Sequence, residues 1–325
     1  MSVLLADILA ARRTIAGVAV RTPLVPSPHM SAVAGSEFLL KLETTQPIGA
    51  FKLRGALNAV AAVPAGAAGV TCCSTGNHGR GVAWAARARG LRAVVCMSAL
   101  VPQAKVDGIR ALGAEVRIVG RSQDDALAES RRLAREEGLV EIPPFDDPLV
   151  IAGQGTIGLE IAEQAAELGA ALDAVLVCCG GGGLVSGTAL ALSEKLPGVP
   201  VYSVEPAGFD DTARSLASGS RIANDMSNRS ICDALLAEKP GEITFELNRR
   251  LLKAGLVVSD AEAQIGMAHA FRYLKLVAEP GGAVALAAAV TGKIDMKGKT
   301  VAVVCSGGNV DQAAFLEALT QAGEV

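Results

Sequence analysis

The chain has 325 residues, of which 50% are hydrophobic and 19% charged, and 36 are glycine. This composition is typical of a globular enzyme with a well-filled core, and it excludes a disordered or fibrous protein. A formal net charge of −3, the absence of long lysine and arginine runs and only 3% aromatic residues argue against nucleic acid or an anionic membrane as a partner.

An amphipathic helix is predicted at the N-terminus, in MSVLLADILAARRTIAG. A signal peptide is not favoured there, because Asp7 interrupts the apolar run and the two arginines follow that run. The uncharged apolar runs elsewhere are too short to span a bilayer. Seven cysteines, mostly in apolar strand-like runs and without a CxxC pair, favour free thiols in a reducing cytoplasm.

The next predicted helix opens on an isolated lysine, Lys52 of TTQPIGAFKLRGALNAV. Its neighbours Phe51 and Leu53 are large and apolar, and the segment holds little other charge. Such a lysine either extends its amine to the surface along its own aliphatic stem, or it carries a reactive amine in a pocket. This segment alone leaves both interpretations open.

Beyond this helix, short β-branched runs alternate with alanine-rich helical stretches. Strands are predicted at residues 69–75 and in RAVVCMS and EVRIVG, and each precedes a helix. After a break rich in proline and aspartate at 141–148, the alternation resumes with AVLVCCGGGG, PVYSVEP and TVAVVCSGG. Apolar strands that alternate with helices form parallel sheets covered on both faces. We therefore predict an α/β protein of two three-layer open-sheet domains, joined near residue 148.

Four consecutive glycines, Gly180 to Gly183, separate a predicted strand from the helix that follows it. Glycine lets backbone N–H groups approach an anion, and the helix N-terminus adds its positive end, so this turn is typical of a phosphate site. A dinucleotide fingerprint is a near match, with Gly181 and Gly183 in place, Ser186 in the third glycine position and Glu205 at the next strand end. A nicotinamide-dependent oxidoreductase is therefore kept as an alternative.

Two further strand ends carry glycine and short polar side chains. The turn STGNHGRG at 74–81 places Ser74, Thr75 and Asn77 at a helix start, followed by His78, although capping and packing are ordinary roles of such residues. Ser306 follows the last predicted strand. Because ligands gather outside the carboxyl ends of strands in open α/β sheets, we expect the three turns and the isolated lysine to line one cleft.

Seven segments together resemble the pyridoxal-phosphate enzymes of fold type II, and among these the serine/threonine dehydratase and serine racemase group. In chain order they are KLETTQPIGAFKLRGALN, STGNHGRGVAWAA, PPFDDPLVIAGQGTIGLE, CCGGGGLVSG, VEPAGFDD, EPGGAVALA and CSGGNVD. Within the group, GNHGRG, EPAGFDDTARSL and SICDALL are most similar to the dehydratases of hydroxyectoine utilisation. The resemblance implies a tryptophan-synthase-β-like fold, with a large cofactor domain at 1–66 and 149–325 and a small domain at 67–148.

The resemblance also implies roles for the residues of the cleft. Lys52, next to Phe51, would hold pyridoxal 5'-phosphate as a Schiff base and then shuttle the Cα proton of the substrate. Burial beside apolar residues would lower the pKa of its amine. The turn Gly180–Gly183 would cradle the cofactor phosphate, Asn77 would bind the ring 3′-oxygen, and Ser306 would face the pyridine nitrogen. A hydroxyl at that nitrogen makes the ring a milder electron sink, which favours elimination.

The substrate carboxylate would bind to the turn after the first strand of the small domain. The residues implied for that contact are Ser74, Thr75, Gly76, Asn77 and His78. Thr75 would also stand on the opposite face of the ring as an acid or base, where racemases of the group have serine and many L-threonine dehydratases have alanine. Ala50 and Gly281 depart from the family pattern, which has serine at both positions, so the shape of the pocket is expected to differ.

A divalent-cation site is a further implication of the resemblance. Glu205, Asp211 and the carbonyl of Phe209 match the cation site of the family, and hard oxygen ligands suit Mg²⁺ or Ca²⁺. The ordinary alternative is a solvated acidic loop.

We therefore predict a cytoplasmic, pyridoxal-phosphate-dependent ammonia-lyase that eliminates water from a β-hydroxy-α-amino acid and releases a 2-oxo acid and ammonia. Threonine, serine, 3-hydroxyaspartate and a hydroxylated diamino acid from hydroxyectoine breakdown stay open as substrates. An amino-acid racemase is the first alternative, and a catalytically silent relative is another. Members of the group are commonly dimers, so a homodimer is expected.

Overall fold

A computed structural model describes residues 3–74, 76–101 and 103–323, without the side chains at 33, 34 and 104. Within these ranges the strands are β1 (Leu24–Pro26), β2 (Glu37–Leu42), β3 (Val70–Cys73), β4 (Ala93–Met97), β5 (Glu115–Ile118), β6 (Val140–Glu141), β7 (Ala174–Cys178), β8 (Val201–Pro206), β9 (Leu252–Val258) and β10 (Thr300–Cys305). The helices are α1 (Leu5–Ile15), α2 (Pro28–Ala34), α3 (Lys52–Ala61), α4 (Asn77–Ala88), α5 (Gln103–Arg110), α6 (Gln123–Glu137), α7 (Pro148–Glu167), α8 (Gly183–Lys195), α9 (Asp211–Ser218), α10 (Glu242–Leu251), α11 (Asp260–Leu274), α12 (Pro280–Val290) and α13 (Gln312–Gln321).

The larger sheet has the strand order β1-β2-β10-β7-β8-β9. All its pairs are parallel except β1 with β2. The last strand of the chain, β10, lies between β2 and β7, with Ala302 opposite both Leu39 and Val175. This central strand is buried on both faces, which is why its sequence TVAVVC is apolar throughout. The order places the turn after β10 beside the turn after β7.

The smaller sheet has the order β5-β4-β3-β6 and is parallel throughout. Its core combines buried residues of β3 and β4 with the apolar faces of α3 and α4. The long helix α7 begins where Asp147 accepts hydrogen bonds from the backbone N–H groups of Leu149 and Val150, at 2.8 and 3.0 Å. It packs against α1, α3 and α8.

The predicted α/β class with two open sheets is confirmed, although β1 and β2 were not predicted and three further details differ. The larger sheet is mixed, because β1 runs antiparallel to β2. The edge strand β9 was not predicted, since its residues are mostly half-buried and give no clear apolar run. A two-residue strand, β6, ends where the break at 141–148 was expected to begin. The domain boundaries after residues 66 and 148 stay a prediction. Among the residues described, no helix combines the length and the apolar character that a membrane span needs.

Candidate active site

The carboxyl ends of β3, β7 and β10 meet at one cavity of about 420 Å³, whose wall includes turns from both sheets. This cavity brings together the residues predicted to bind cofactor and substrate, apart from Thr75, which lies outside the described residues. Those that line it are Phe51, Lys52, Ser74, Gly76, Asn77, His78, Gly180, Gly181, Gly182, Gly183 and Ser306. Their convergence is observed, whereas their individual roles stay predictions.

Lys52 is the first residue of α3 and lies in the wall of the cavity. Its Nζ donates a hydrogen bond to the carbonyl oxygen of Pro144 at 2.7 Å, and it lies 5.2 Å from the centre of the Phe51 ring. Burial lowers the pKa of the amine to about 8, because the charged form loses its water. Near neutral pH a useful fraction of the amine is therefore unprotonated, as a nucleophile or base requires.

The glycine turn after β7 is closely packed and leads directly into a helix start. Gly182 has φ +97°, a left-handed conformation that glycine adopts without strain, and α8 begins at Gly183. A Cβ atom on Gly181 would lie only 2.4 Å from ring atoms of Phe145. The first N–H groups of α8 have no acceptor within the helix and carry its positive end. The turn therefore has the form that binds a phosphate.

Ser306 follows β10 and is almost fully buried. Its Oγ accepts a hydrogen bond of 3.1 Å from the thiol of Cys178, the last residue of β7. Since this bond uses the oxygen as an acceptor, the hydroxyl hydrogen stays available to an acceptor in the cavity. Sequence reasoning missed Cys178, because only the pairing of β7 with β10 brings it to Ser306.

Asn77 is held from two sides at the start of α4. Its Nδ2 donates to Oε1 of Glu279 at 2.6 Å, and its Oδ1 accepts from Nδ2 of Asn309 at 2.7 Å. Burial raises the pKa of Glu279 to about 7, although the hydrogen bond from Asn77 acts in the opposite direction. Glu279 was not predicted as a site residue. Its one local signal is its place as the acid directly before the wholly apolar helix α12.

His78 lies in the cavity wall as a buried, neutral side chain. Its Nε2 is 2.8 Å from the carbonyl oxygen of Ile142, to which it donates. Burial, with the nearby charge of Lys52, lowers the pKa of the imidazole to about 3. Its Nδ1 has no hydrogen-bond partner among the described residues. A packing role accounts for this geometry, so substrate binding by His78 stays a prediction.

The predicted cation ligands lie outside the lining of the cavity. The carboxylate of Glu205 accepts the backbone N–H groups of Thr212 and Ala213 at 3.0 and 2.8 Å, at the start of α9. Asp211 accepts from Asn224 at 2.6 Å, and its Oδ2 has no hydrogen-bond partner within the described part of the chain. Burial raises the pKa of both acids.

No group of three potential ligands among His, Cys, Asp and Glu occurs in the residues described, so a cation at Glu205, Phe209 and Asp211 stays a prediction. The same contacts bear on the nicotinamide alternative. Glu205 is fully buried and caps α9, so its carboxylate is not placed to bind a ribose hydroxyl.

Charged residues that were not predicted complete the cavity. Arg80, from the first turns of α4, lies in its wall. Lys105 of α5 forms an ion pair of 2.6 Å with Asp233, and this pair connects a helix of the smaller-sheet region to a turn beside the larger sheet. The ring of Phe145 covers the glycine turn. The only local signal for Arg80 is its place one residue after GNHG.

A buried network of charges supports α3 from behind the cavity. Arg54, two residues after Lys52, binds Glu160 at 2.7 Å and Glu43 at 2.8 Å. Lys41 reaches Glu160 from the opposite side at 2.6 Å. Burial alone would raise the pKa of Glu43, but the guanidinium of Arg54, together with Lys41 and the Thr22 hydroxyl, outweighs it and holds that pKa below its ordinary value. The network ties the helix that carries Lys52 to β2 and α7.

Comparisons with known proteins extend over nearly the whole chain. The model of a family described as "Pyridoxal-phosphate dependent enzyme" matches residues 15–307. An L-threonine ammonia-lyase of Thermotoga maritima is 40% identical over 309 residues, which is 94% of this chain and 76% of the relative. An L-threo-3-hydroxyaspartate ammonia-lyase of a Pseudomonas species is 38% identical over 94% of this chain and 95% of the relative.

Two further similarities concern another activity and the fold. A serine racemase of Schizosaccharomyces pombe is 36% identical, over 97% of each chain. The structure of the processed form of threonine deaminase isoform 2 from Solanum lycopersicum superposes with a TM-score of 0.91 at 34% identity, and the match covers 98% of this chain and 92% of that chain.

Proposed function

We propose an ammonia-lyase function for this chain, which belongs to the family of pyridoxal-phosphate-dependent enzymes. The reaction is removal of water from a β-hydroxy-α-amino acid, followed by hydrolysis to a 2-oxo acid and ammonia. The observation that carries the proposal is the position of Lys52, whose amine has a pKa of about 8 in a cavity that also holds a tetraglycine turn and the Ser306 hydroxyl.

The residues of the cavity fit pyridoxal phosphate. The glycine turn has no Cβ atoms and leads into a helix start, which suits the phosphate. Ser306 has a hydroxyl hydrogen to donate to the pyridine nitrogen, and Asn77 carries the amide for the ring oxygen. Lys52 supplies the amine for a covalent link. When bound, the cofactor supplies the electron-withdrawing ring that makes the Cα proton of an amino acid acidic.

Proton transfer falls to Lys52. With a pKa of about 8, roughly a tenth of its amine is neutral at pH 7 and able to take the Cα proton at Nζ. The hydroxyl of Ser306 would donate a hydrogen bond to the pyridine nitrogen without supplying a full charge, so it would limit the electron demand of the ring and favour elimination over transamination. The hydrogen bond to Glu279 fixes the side-chain amide of Asn77, which would orient the ring.

The substrate is a β-hydroxy-α-amino acid, and four candidates follow from the resemblance: threonine, serine, 3-hydroxyaspartate and a hydroxylated diamino acid from hydroxyectoine breakdown. Relatives named for L-threonine and L-threo-3-hydroxyaspartate support the first and third. The segments GNHGRG, EPAGFDDTARSL and SICDALL support the fourth. A cytoplasmic homodimer belongs to the same proposal and rests on the cysteine usage and the resemblance.

Racemisation is a second candidate, because a serine racemase is among the relatives. It requires an acid or base on the ring face opposite Lys52, for which Thr75 is the predicted residue. Incubation of the holoenzyme with L-serine in heavy water, followed by chiral chromatography, detects the D-enantiomer and the exchanged Cα proton. If no D-serine forms while ammonia is released, racemisation is rejected.

The test of the lyase begins with the absorption of the purified holoenzyme. We expect a near-visible band that borohydride removes, and a cofactor-modified peptide that contains Lys52. Ammonia and 2-oxo acid are then measured with the four candidate substrates, with Lys52→Ala as the inactive variant and Lys253→Ala, an exposed lysine away from the cavity, as the matched control. A holoenzyme that binds the cofactor at Lys52 but releases no ammonia from any of them contradicts the proposal.

A further inference from the structure

Arg80 is a cation of the cavity that no other side chain in the described part of the protein neutralises by contact. It is the fourth residue of α4, its side chain is half-buried, and it lines the same cavity as Lys52. Among the residues that the structure describes, its guanidinium makes no hydrogen bond or ion pair. Lys105, the neighbouring cation, is neutralised by Asp233 at 2.6 Å. A guanidinium offers five N–H donors, and an anion satisfies them better than water does.

The position of the guanidinium depends on a glycine of the adjacent helix. A Cβ atom on Gly108 of α5 would lie 2.9 Å from Nη2 of Arg80 and 3.4 Å from its Cζ. Glycine at 108 therefore makes the space in which the guanidinium lies. The aliphatic stem of Arg80 then reaches this space from α4, so two helices of the smaller-sheet region together set its place.

The acids of the cavity do not neutralise this charge by contact. Asp233 is paired with Lys105, and Glu279 accepts its hydrogen bond from Asn77. Asp311 is exposed at the rim. Arg80 acts on Glu279 through space, since its charge favours the ionised form of that carboxyl. One cation in the wall is thus left for a ligand.

The α-carboxylate of an amino acid is predicted to bind elsewhere, at the residues that precede and open α4. Arg80 follows Asn77 by three residues, so it lies on the same side of the helix, about 5 Å further along its axis. Because the side chain of Arg80 leans back toward the start of the helix, an anion bound by its guanidinium lies near the predicted site of the α-carboxylate. A four-carbon diacid, whose two carboxylates are separated by two carbons, fits this arrangement better than a short neutral side chain.

We propose that Arg80 binds a side-chain carboxylate, and that the enzyme prefers a β-hydroxy-α-amino dicarboxylic acid such as 3-hydroxyaspartate. This inference rests on the proposed lyase function for its reaction, but not for its binding site. The same charge disfavours an amino acid with a cationic side chain, so this inference selects 3-hydroxyaspartate over the hydroxylated diamino acid that the resemblance of GNHGRG suggests.

The first test measures binding without turnover. Holoenzyme is titrated with L-aspartate and with L-alanine, neither of which has a β-hydroxyl to lose, and the absorption of the bound cofactor reports the Kd of each. Arg80→Gln is expected to raise the Kd of L-aspartate by about tenfold or more relative to that of L-alanine, as for loss of a charge-assisted hydrogen bond. Arg80→Lys restores part of the preference, because it keeps the charge but loses the bidentate geometry.

Two matched variants sharpen this test. Arg87→Gln makes the same substitution at an exposed position two turns further along α4, outside the cavity lining, and leaves both Kd values unchanged. Gly108→Ala keeps the charge but forces the guanidinium to move, and it lowers the preference for L-aspartate by less than Arg80→Gln does. If Arg80→Gln weakens both ligands equally, the partner of Arg80 is the α-carboxylate and the proposal is wrong. It is equally wrong if neither Kd changes.

Turnover separates this proposal from the lyase function. For the unmutated enzyme, kcat/KM for L-threo-3-hydroxyaspartate is expected to exceed that for L-serine, and Arg80→Gln lowers this ratio about tenfold. Selective L-aspartate binding without ammonia release from any substrate contradicts the lyase and leaves the Arg80 site standing. Ammonia release from serine or threonine without preference for either diacid supports the lyase and overturns the role of Arg80.

Discussion

The amine of Lys52 becomes reactive through burial, and its hydrogen bond to Pro144 holds it at the cavity wall. A charged ammonium is costly to bury, so the amine of Lys52 loses its proton at a lower pH than the amine of free lysine. The same residue thereby joins two requirements of the proposed chemistry, a nucleophile for the cofactor and a base for the substrate.

The rate of cofactor uptake by the apoenzyme is expected to follow the neutral fraction of Lys52. Because burial lowers the pKa of the amine from 10.5 to about 8, the rate rises with pH up to about 8 and levels off above it. Stopped-flow absorption after mixing with pyridoxal phosphate measures this profile, with Nα-acetyl-lysine as the reference amine. A rate that keeps rising to the pKa of the reference amine would contradict the buried environment of Lys52.

A second prediction concerns Cys178, which donates its thiol hydrogen to Ser306. Cys178→Ala removes that donor, so the Ser306 hydroxyl gains freedom to turn away from the cofactor. We expect kcat/KM to fall about two- to tenfold, the range of one neutral hydrogen bond, and the near-visible band of the holoenzyme to shift. Cys178→Ser, which keeps a donor, recovers part of both changes.

The matched control for Cys178 is Cys72→Ala, another buried thiol that lies in β3 and does not line the cavity. This variant also removes a buried sulfur but leaves the contacts of Ser306 intact, so it measures only the effect of the small void that a lost thiol leaves in a strand. If Cys72→Ala and Cys178→Ala change the band and kcat/KM to the same extent, Cys178 has no positioning role.

Only some residues of the site are readable from the sequence. Lys52 and the tetraglycine turn carry local signals, because a lone lysine between large apolar residues and four glycines after a strand are unusual in themselves. Cys178 carries none and Arg80 only its place after GNHG, since strand pairing and the packing of α4 on α5 bring them to the cavity. Glu279 is intermediate: the segment EPGGA marks a helix start, but not the contact with Asn77.

At the scale of elements, α3 is held by charges that have no place in its own apolar pattern. Arg54 is 1% exposed and bridges Glu43 on one side and Glu160 on the other. Removing one member of a buried ion network leaves the others uncompensated, which costs far more than the net worth of the pair. The network therefore controls both the stability of the larger-sheet region and the placement of the helix that begins at Lys52.

Arg54→Met is expected to lower the free energy of unfolding by about 3–5 kcal/mol, because Glu43 and Glu160 lose their shared cation. Chemical unfolding followed by circular dichroism measures the change. Arg12→Met, which breaks an exposed pair with Glu163, serves as the control and should cost no more than about 1 kcal/mol. Equal losses in the two variants would show that the buried network carries no special stability.

The pH dependence of the same variant has a definite sign. Arg54 lowers the pKa of Glu43 in the folded protein, so this carboxylate contributes stability above its unfolded pKa and loses it as the pH falls through the folded value. In Arg54→Met that pKa is no longer lowered, and the stability from this group is absent already at neutral pH. The difference in stability between the unmutated protein and the variant therefore narrows on acidification.

The elements themselves were predictable to different degrees. β7 and β10 are continuous apolar runs between clear turns, so sequence alone places them correctly. β9 is an edge strand with half-buried residues, and the antiparallel β1 has three residues. Both segments are strands because a neighbouring strand pairs with them. That pairing is a property of the folded sheet and not of the local sequence.

At the scale of the whole molecule, the cavity lies between the two sheets, so its width depends on the spacing between them. The ion pair of Lys105 with Asp233 is a partly exposed polar contact across the rim of the cavity, with Nζ and Oδ2 2.6 Å apart, whereas the contacts of Asn77 with Glu279 and Asn309 cross it in the buried interior. The side chains of Lys105 and Asp233 are 27% and 56% exposed, so the pair adds little to global stability. Its consequence is expected in access to the cofactor rather than in folding.

Lys105→Met is therefore expected to leave the thermal midpoint within a few degrees of the unmutated protein and to speed reduction of the bound cofactor by borohydride about threefold, as for loss of a pair worth roughly 0.7 kcal/mol. Added salt screens an exposed pair, so it should accelerate the reduction in the unmutated protein and much less in the variant.

Arg221→Met breaks an ion pair with Glu242 that lies outside the cavity, and it should leave the rate unchanged. Asp233→Asn should match Lys105→Met, and the double variant should add nothing, because both changes open the same contact. Additive effects of the two single variants would mean that Lys105 and Asp233 act separately, and that another contact keeps the two halves of the cavity together.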